Sequence, residues 1–231
     1  MNPVSTCHTA ILLFTRHPED EARIKRFGTR TRGATRISEA LTRHTRQVLS
    51  QTGLPVFHIA GTRQTGDTFG SRLGAAFESV FAAGYTRVIA VGNDTPTLRP
   101  ADLHRACHLL STQPAVWGPA TDGGVWLLGL TAESYARSWF VTLPWETPAL
   151  LQSLQAWSAG NGQALLALRH QADLDRPSDL PALLALLAPA QMVRRQLASL
   201  LLRPPAPSPS RDRPVSVTPA QLPYLRAPPV A

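Results

Sequence analysis

The stretch Arg87-Val-Ile-Ala-Val-Gly-Asn-Asp-Thr-Pro-Thr-Leu98 decides how the rest of the chain is read. A short apolar run passes straight into a glycine, a carboxylate and a proline. Continuous apolar runs of this length suit a strand covered on both faces rather than one with a wet side. Gly92 permits a sharp turn or a close approach of backbone to ligand. Pro96 fixes its own φ and keeps Thr95 out of the helical region. Asp94 is thereby presented from a stiff loop at a strand's carboxyl end, where open α/β sheets bind their ligands. A carboxylate there can hold Mg²⁺ together with diphosphate oxygens and water. The same residues also make an ordinary Asp-capped turn, and the segment alone leaves both readings open.

Working outward, similar runs predict strands at Thr9–Phe14, Val56–Ala60, Ala115–Trp117, Val125–Leu130 and Ala164–Leu168. Helical patterns lie between them. Asp67 is the expected N-cap of a helix carrying Phe69, Leu73, Ala76, Phe77, Val80 and Phe81 on one face, with Gly84 as its stop. Further helices are expected over Pro100–Leu110, over Thr147–Trp157 and from Leu180 to Leu187. Strand, crossover helix and strand in succession imply an α/β fold with a mainly parallel sheet sandwiched by helices. One domain is expected over residues 1–203. Residues 204–231 hold nine prolines in 28 positions and read as a disordered or extended tail.

Composition narrows the function classes. The chain has 231 residues and a formal charge of +8, and 22 of its 23 basic residues are arginine, the exception being Lys25. Nine bases fall between Arg16 and Arg46, a region suited to phosphates or to a solvated helix face. Neither an aromatic-rich platform nor a groove-reading helix motif supports nucleic-acid binding. Cys7 and Cys107 show no metal-like spacing, which predicts a reduced, cytoplasmic protein without disulfides. No apolar run reaches the ~18 residues of a membrane span. The short segment Ala10–Phe14 follows no basic region and reads as a strand, not a signal peptide.

Two more segments carry chemistry. Gly118-Pro-Ala-Thr-Asp-Gly-Gly-Val-Trp-Leu-Leu-Gly-Leu130 sets Asp122 and the paired Gly123 and Gly124 before a strand. Glycines let a sugar or phosphate lie against the backbone, although Asp-Gly-Gly is also a good hairpin turn. Asp173-Leu-Asp-Arg-Pro-Ser-Asp-Leu180 puts Asp175 at another strand end, with Asp179 suited to a helix's first turn and Ser178 to its cap. A plain capping loop accounts equally well for Asp173 and Asp179. His104 and His108 are spaced i, i+4 but lack a nearby Glu or Cys ligand, so they read as helix-face residues rather than a zinc site. Ser71 lacks the G-x-S-x-G elbow of a serine hydrolase.

In this order, Gly92–Leu98, Gly118–Leu130, Pro144-Trp145 and Asp173–Leu180 resemble the GT-A-like transferases known as the radical-SAM/selenodomain-associated family. The stretch Thr65–Leu73 resembles that family's Q-G-x-x-[LF]-G-x-R-[ML] segment, and the likeness spans about residues 9–185. The resemblance implies a nucleotide-diphosphosugar transferase fold and a Mg²⁺ or Mn²⁺ ion held by Asp94 and Asp175. By the same resemblance Arg16, Lys25, Gly92 and Asn93 would bind nucleotide or phosphate. Gly123, Gly124 and Trp145 would line the substrate side, with Asp94 and Asp122 as the catalytic pair. The implied partners are a nucleotide or nucleotide-sugar donor and a small-molecule acceptor. The first loop departs from the family pattern: Glu21 stands where a glycine is usual, and Arg26-Phe27 replaces Thr-Arg. A Gly-poor acidic loop cradles phosphate less well. Glycosyl transfer from a nucleotide diphosphate sugar is the first expectation. Nucleotidyl transfer to a small phosphorylated acceptor and non-catalytic nucleotide binding are the alternatives.

Overall fold

The computed structural model describes residues 8–25, 31–160, 167–188 and 191–201. Its centre is the strand β1 (Thr9–Thr15), every residue of which is buried. Side chains alternate across a strand, so Ala10, Leu12 and Phe14 enter one core while Ile11 and Leu13 enter the core on the opposite face. Around it lie β2 (Val56–Ala60), β3 (Arg87–Val91), β4 (Ala115–Pro119) and β5 (Val125–Thr131), in the order β2-β1-β3-β5-β4. β1 pairs in parallel with β2 and β3, and β5 pairs antiparallel with β3 and β4. Four strands therefore point one way and β5 alone runs against them, as the mainly parallel α/β expectation requires.

The helices cover both faces. Between β1 and β2 come α1 (Pro18–Lys25) and α2 (Thr31–Ser50); α3 (Phe69–Ala82) precedes β3, and α4 (Pro100–Leu109) follows it. After β5 come the short α5 (Arg137–Phe140), then α6 (Leu150–Gly160), α7 (Leu180–Leu186) and α8 (Met192–Leu201). α3 seats Leu73, Phe77 and Val80 on the Leu12 face, where Phe77 also meets Phe140 at 5.4 Å between ring centroids. A third core joins Ile37 and Leu41 of α2 to Leu180 and Leu183 of α7 and to Leu197 of α8.

Several boundaries differ from the sequence expectation. α3 is capped by Thr68, not Asp67, because Thr68 and Ser71 exchange side chain-to-backbone hydrogen bonds in a capping box. The third expected helix begins at Leu150 rather than Thr147, since Pro148 and the Thr147 hydroxyl, bonded to the Pro144 carbonyl, hold a turn there. Residues 18–25 form a helix instead of a phosphate-binding loop, with Pro18 at its start, three acids in its first turn and Arg23 and Lys25 in its last. Asp179, not Ser178, accepts the backbone N–H groups of Asp175 and Arg176. Of the expected sixth strand, residues 164–166 lie outside the described residues, and Ala167 makes an isolated parallel bridge to Trp117. The Pro-rich tail also lies outside the described residues.

Phe77 is fully buried at the junction of α3, α5 and the sheet. Phe77→Ala is expected to cost about 3–5 kcal/mol of unfolding free energy, the range for a lost core aromatic. Urea denaturation monitored by tryptophan fluorescence measures it.

Candidate active site

The chain leaves β1 to form β2 on one side and returns to form β3 on the other, so the strand order reverses between β1 and β3. Ligands bind in the crevice at such a switch point, beyond the strands' carboxyl ends. Here that crevice is a cavity of about 660 Å³, inside the usual range for small-molecule sites. Phe14, Thr15 and Arg16 enter it from β1, and Gly92 and Asp94 from the β3 loop. Because β5 runs in reverse, its starting turn reaches the same rim and brings Asp122 and Gly124 to the cavity.

The carboxylates arrive from two separate segments. Residues 167–175 run beside the end of β4: Leu168 N–H donates to the Trp117 carbonyl, Gln171 N–H to the Pro119 carbonyl, and Leu174 N–H to the Asp94 carbonyl at 2.8 Å. Arg169 fixes this segment to α4 through a two-pronged ion pair with Asp102, at 3.0 and 2.8 Å. In extended backbone, residues two apart share a side. Leu174 is therefore buried while Asp173 and Asp175 both reach the cavity.

Asp94 and Asp175 meet at Lys25. The ammonium lies 2.7 Å from Asp94 Oδ1, 2.9 Å from Asp175 Oδ1 and 3.5 Å from Glu21 Oε1, and it donates to the Leu174 carbonyl at 3.2 Å. Only 6% of the Lys25 side chain is exposed. Burial opposes its charge, but the three acids outweigh that and raise its pKa well above the ordinary lysine range. Glu21 is buried beneath, accepting from the Ser38 hydroxyl and, at 3.0 Å, from the Asn93 amide. Burial would raise the Glu21 pKa, yet Lys25 and these donors hold it below the usual carboxylate value. Asp94 is pushed up to about 6 by burial, with Lys25 pulling it down and Glu21 adding to the rise. Its Oδ1 is sealed off, whereas a third of the side-chain surface opens on the cavity. Asp173 rises to about 7, chiefly through burial, although the Thr95 hydroxyl donates to it at 2.6 Å.

The opposite wall is aromatic. Trp145 lies 5.6 Å from Phe69 and 4.8 Å from Phe140 between centroids, and its indole N–H donates to the Phe140 carbonyl at 2.8 Å. The ring seats on Gly70, where a Cβ would come within 2.4 Å of it. Next to it, Glu146 has φ 59°, the one positive value among the described non-glycine residues. Such a residue is strained unless its surroundings hold it. Its carboxylate pairs with Arg16 at 2.5 Å across the cavity mouth.

The structure thus brings Asp94, Asp175, Arg16, Gly92, Asn93, Asp122, Gly124 and Trp145 to one cavity, with Lys25 buried against Asp94 and Asp175. Asn93 points its amide inward to Glu21 and Thr42. Gly123 packs against Pro148 with φ +91°, a turn position that favours glycine. Asp122 Oδ1 accepts from the Gly124 N–H at 2.9 Å. His104 and His108 are exposed on α4. Sequence reasoning left out Glu21 as a site residue, Asp173, Gln64, Arg72 and Glu146, all of which line the cavity. For Asp173 the signal was present in the Asp-x-Asp alternation.

The carboxylates of Asp94, Asp173 and Asp175 are hard oxygen donors of the kind a divalent cation takes. No group of three His, Cys, Asp or Glu among the described residues is arranged to hold a metal unaided. A cation here would complete its shell with water and ligand phosphate oxygens, as Mg²⁺ commonly does. The residues fit such an ion on those terms.

Among known proteins, the family model described as "Uncharacterized protein conserved in bacteria (DUF2064)" matches residues 25–147. No curated protein matches the chain. Among solved structures, the chain is similar to a "putative nucleotide-diphospho-sugar transferase" of Desulfovibrio desulfuricans G20. That match has a TM-score of 0.74 and 22% identity and covers 84% of this chain and 94% of the other. Two looser likenesses are to Rv0371c of Mycobacterium tuberculosis H37Rv in complex with manganese (TM-score 0.45, 14% identity, 78% and 99% covered) and to CMP:2-keto-3-deoxy-manno-octonic acid synthetase complexed with CTP (0.39, 11%, 83% and 98%). The first likeness shows that the fold is of the nucleotide-diphosphosugar transferase type, as the sequence motifs implied.

The Asp94 loop is steadied from α2, where the His44 Nε2–H donates to the Pro96 carbonyl at 3.0 Å. Burial lowers the His44 pKa below 6.5, the carbonyl bond only partly opposing it. Above about pH 6.5 both folded and unfolded chains hold a neutral imidazole there. As pH falls through that value the unfolded chain takes up a proton that the folded chain resists, and stability is lost. Between about pH 7.5 and 5.5, His44→Gln is expected to lose less stability than the wild type by urea denaturation, equal losses refuting the assignment.

Proposed function

We propose that this chain, which belongs to the bacterial family DUF2064, is a metal-dependent glycosyltransferase drawing its sugar from a nucleoside diphosphate sugar. One observation carries the reading. Carboxylates from two separate segments, Asp94 and Asp175, both line the switch-point cavity and both lie within 3 Å of one cation, the buried Lys25 ammonium. That is the arrangement needed where a diphosphate must be held and its growing charge neutralised.

In this reaction the bond from the sugar's anomeric carbon to the diphosphate oxygen breaks, and a bond to an acceptor hydroxyl oxygen forms. The nucleoside diphosphate departs carrying the electron pair, and the acceptor's proton passes to a base. Asp94 and Asp175, with Asp173 beside them, would hold a divalent cation, which supplies Lewis-acid neutralisation of the leaving diphosphate. Lys25 and Arg16 add positive charge on the protein's side. Asp122 is the proposed base: one of its oxygens is taken by the Gly124 N–H, which orients the carboxylate and leaves the other for an acceptor hydroxyl. Gly124 and Trp145 offer a side-chain-free edge and an aromatic wall for a sugar ring.

Thermal shift against nucleotide sugars and nucleoside triphosphates, with and without Mg²⁺ or Mn²⁺, tests the donor class. A ligand at ~100 times its Kd adds about 2.7 kcal/mol, which for a chain of this size raises Tm by roughly 5–11 °C. A shift with nucleotide sugars that needs metal supports the proposal. A shift with triphosphates alone, joined by pyrophosphate release, replaces it with nucleotidyl transfer. No shift with either class overturns both. Asp94→Asn is expected to lower nucleoside diphosphate release about 10²–10³-fold, the scale on which one lost electrostatic contact acts.

A further inference from the structure

Lys25 is bound more tightly than a residue awaiting phosphate needs to be. An ammonium has three donors, and here three carboxylates and a carbonyl surround it in a pocket where 6% of the side chain sees solvent. It contacts Asp94 Oδ1 at 2.7 Å and Asp175 Oδ1 at 2.9 Å, on the two carboxylates that the proposed function gives to a divalent cation. A divalent cation drawn to the same two carboxylates meets the repulsion of an ammonium already within 3 Å of both.

We infer that Lys25 is a built-in counter-ion standing in for the metal in the ligand-free site, with Glu21 as the positioning residue that keeps it there. Metal and nucleoside diphosphate therefore enter together. The inference rests on the proposed function for the identity of the anion. A metal arriving alone must expel a buried ammonium from two of its three carboxylates, and removing a partner from a buried ion pair is strongly unfavourable. A diphosphate arriving with the metal brings oxygens to which the ammonium can turn, since phosphate is an ordinary lysine partner. Each ligand thus strengthens the other, as linkage requires. Glu21 supplies the bias toward the waiting state. It is 2% exposed, it is fixed by Ser38 and Asn93, and its charge faces the ammonium from below. Residue type fits this role. In a chain with 22 arginines the one lysine sits here, where a compact ammonium with three rotatable donors on a flexible stem can turn from one oxygen to another more readily than a rigid guanidinium fork.

Calorimetric titration of Mn²⁺ into the full chain, alone and with saturating UDP, GDP, CDP or ADP in turn, tests this. The expected result is Mn²⁺ affinity about tenfold or more higher with one of the diphosphates, within the ~5–150-fold span of coupling between sites. Glu21→Gln should raise the affinity for Mn²⁺ alone. The double variant Glu21→Gln, Lys25→Met removes both charges together, so that no buried Glu21 carboxylate is left unpaired and Asp94 and Asp175 stand free to take the metal. It should bind Mn²⁺ alone about tenfold tighter than the wild type, so that the gain on adding nucleotide shrinks by the same factor, with its fold checked by circular dichroism. Wild-type Mn²⁺ affinity that is the same with and without a bound diphosphate overturns the inference and leaves the proposed function standing, and this needs no variant to fold. A folded double variant that matches the wild type overturns it too. A wild type that binds neither Mn²⁺ nor any of the diphosphates overturns both.

Discussion

A charged amine buried among carboxylates organises this molecule. In the interior, charges persist only when they are paired and hydrogen-bonded, and the Lys25 cluster meets that demand with groups from widely separated parts of the chain. α1 contributes Glu21 and Lys25, α2 the Ser38 hydroxyl, the β3 loop Asn93 and Asp94, and the segment beside β4 Asp175 and the Leu174 carbonyl. Moving any one of these strands charge on the others. The cluster thus ties four elements together by charge, three of which also pack through Ala22, Ile37 and Leu174 in the third core.

The sheet's topology explains why those elements meet where they do. The reversal of strand order at β1 opens a crevice beside β3, and the single reversed strand β5 returns its starting turn to the same rim. One end of the sheet therefore gathers three loops and the 167–175 segment, while the two cores on its faces hold the strands rigid. The cavity inherits an acidic side and an aromatic side. Arg16 and Glu146, both lining the cavity, form an ion pair, and the left-handed backbone of Glu146 directly follows the Trp145 that packs on Gly70.

Much of this was legible in the sequence, because strands and amphipathic helices write their periodicity locally. The apolar runs marked all five strands, and the Gly92–Leu98 and Asp173–Leu180 segments marked the loops that deliver the acids. The first loop misled, since its acids looked like damage to a phosphate cradle. Yet Pro18, acids in the first turn and bases in the last are the marks of a helix, and Glu21 follows from that helix as an inward-facing residue. Other features were beyond sequence. Apart from Glu21, one helical turn back, the partners of Lys25 lie far away in the chain, so the local sequence does not distinguish a buried counter-ion from an exposed phosphate ligand. Nor does a Pro-Trp-Glu-Thr run announce the left-handed φ of Glu146, which arises from tertiary contacts.

The scarcity of lysine has a further consequence. Lys25 is the chain's sole side-chain amine and lies almost wholly out of solvent. An acylating reagent that attacks neutral amines therefore meets, beyond the amino terminus, a single target that is both shielded and held in its charged form. Its labelling rate records how often the cluster parts, so this composition has left the protein with an intrinsic chemical gauge of its own opening.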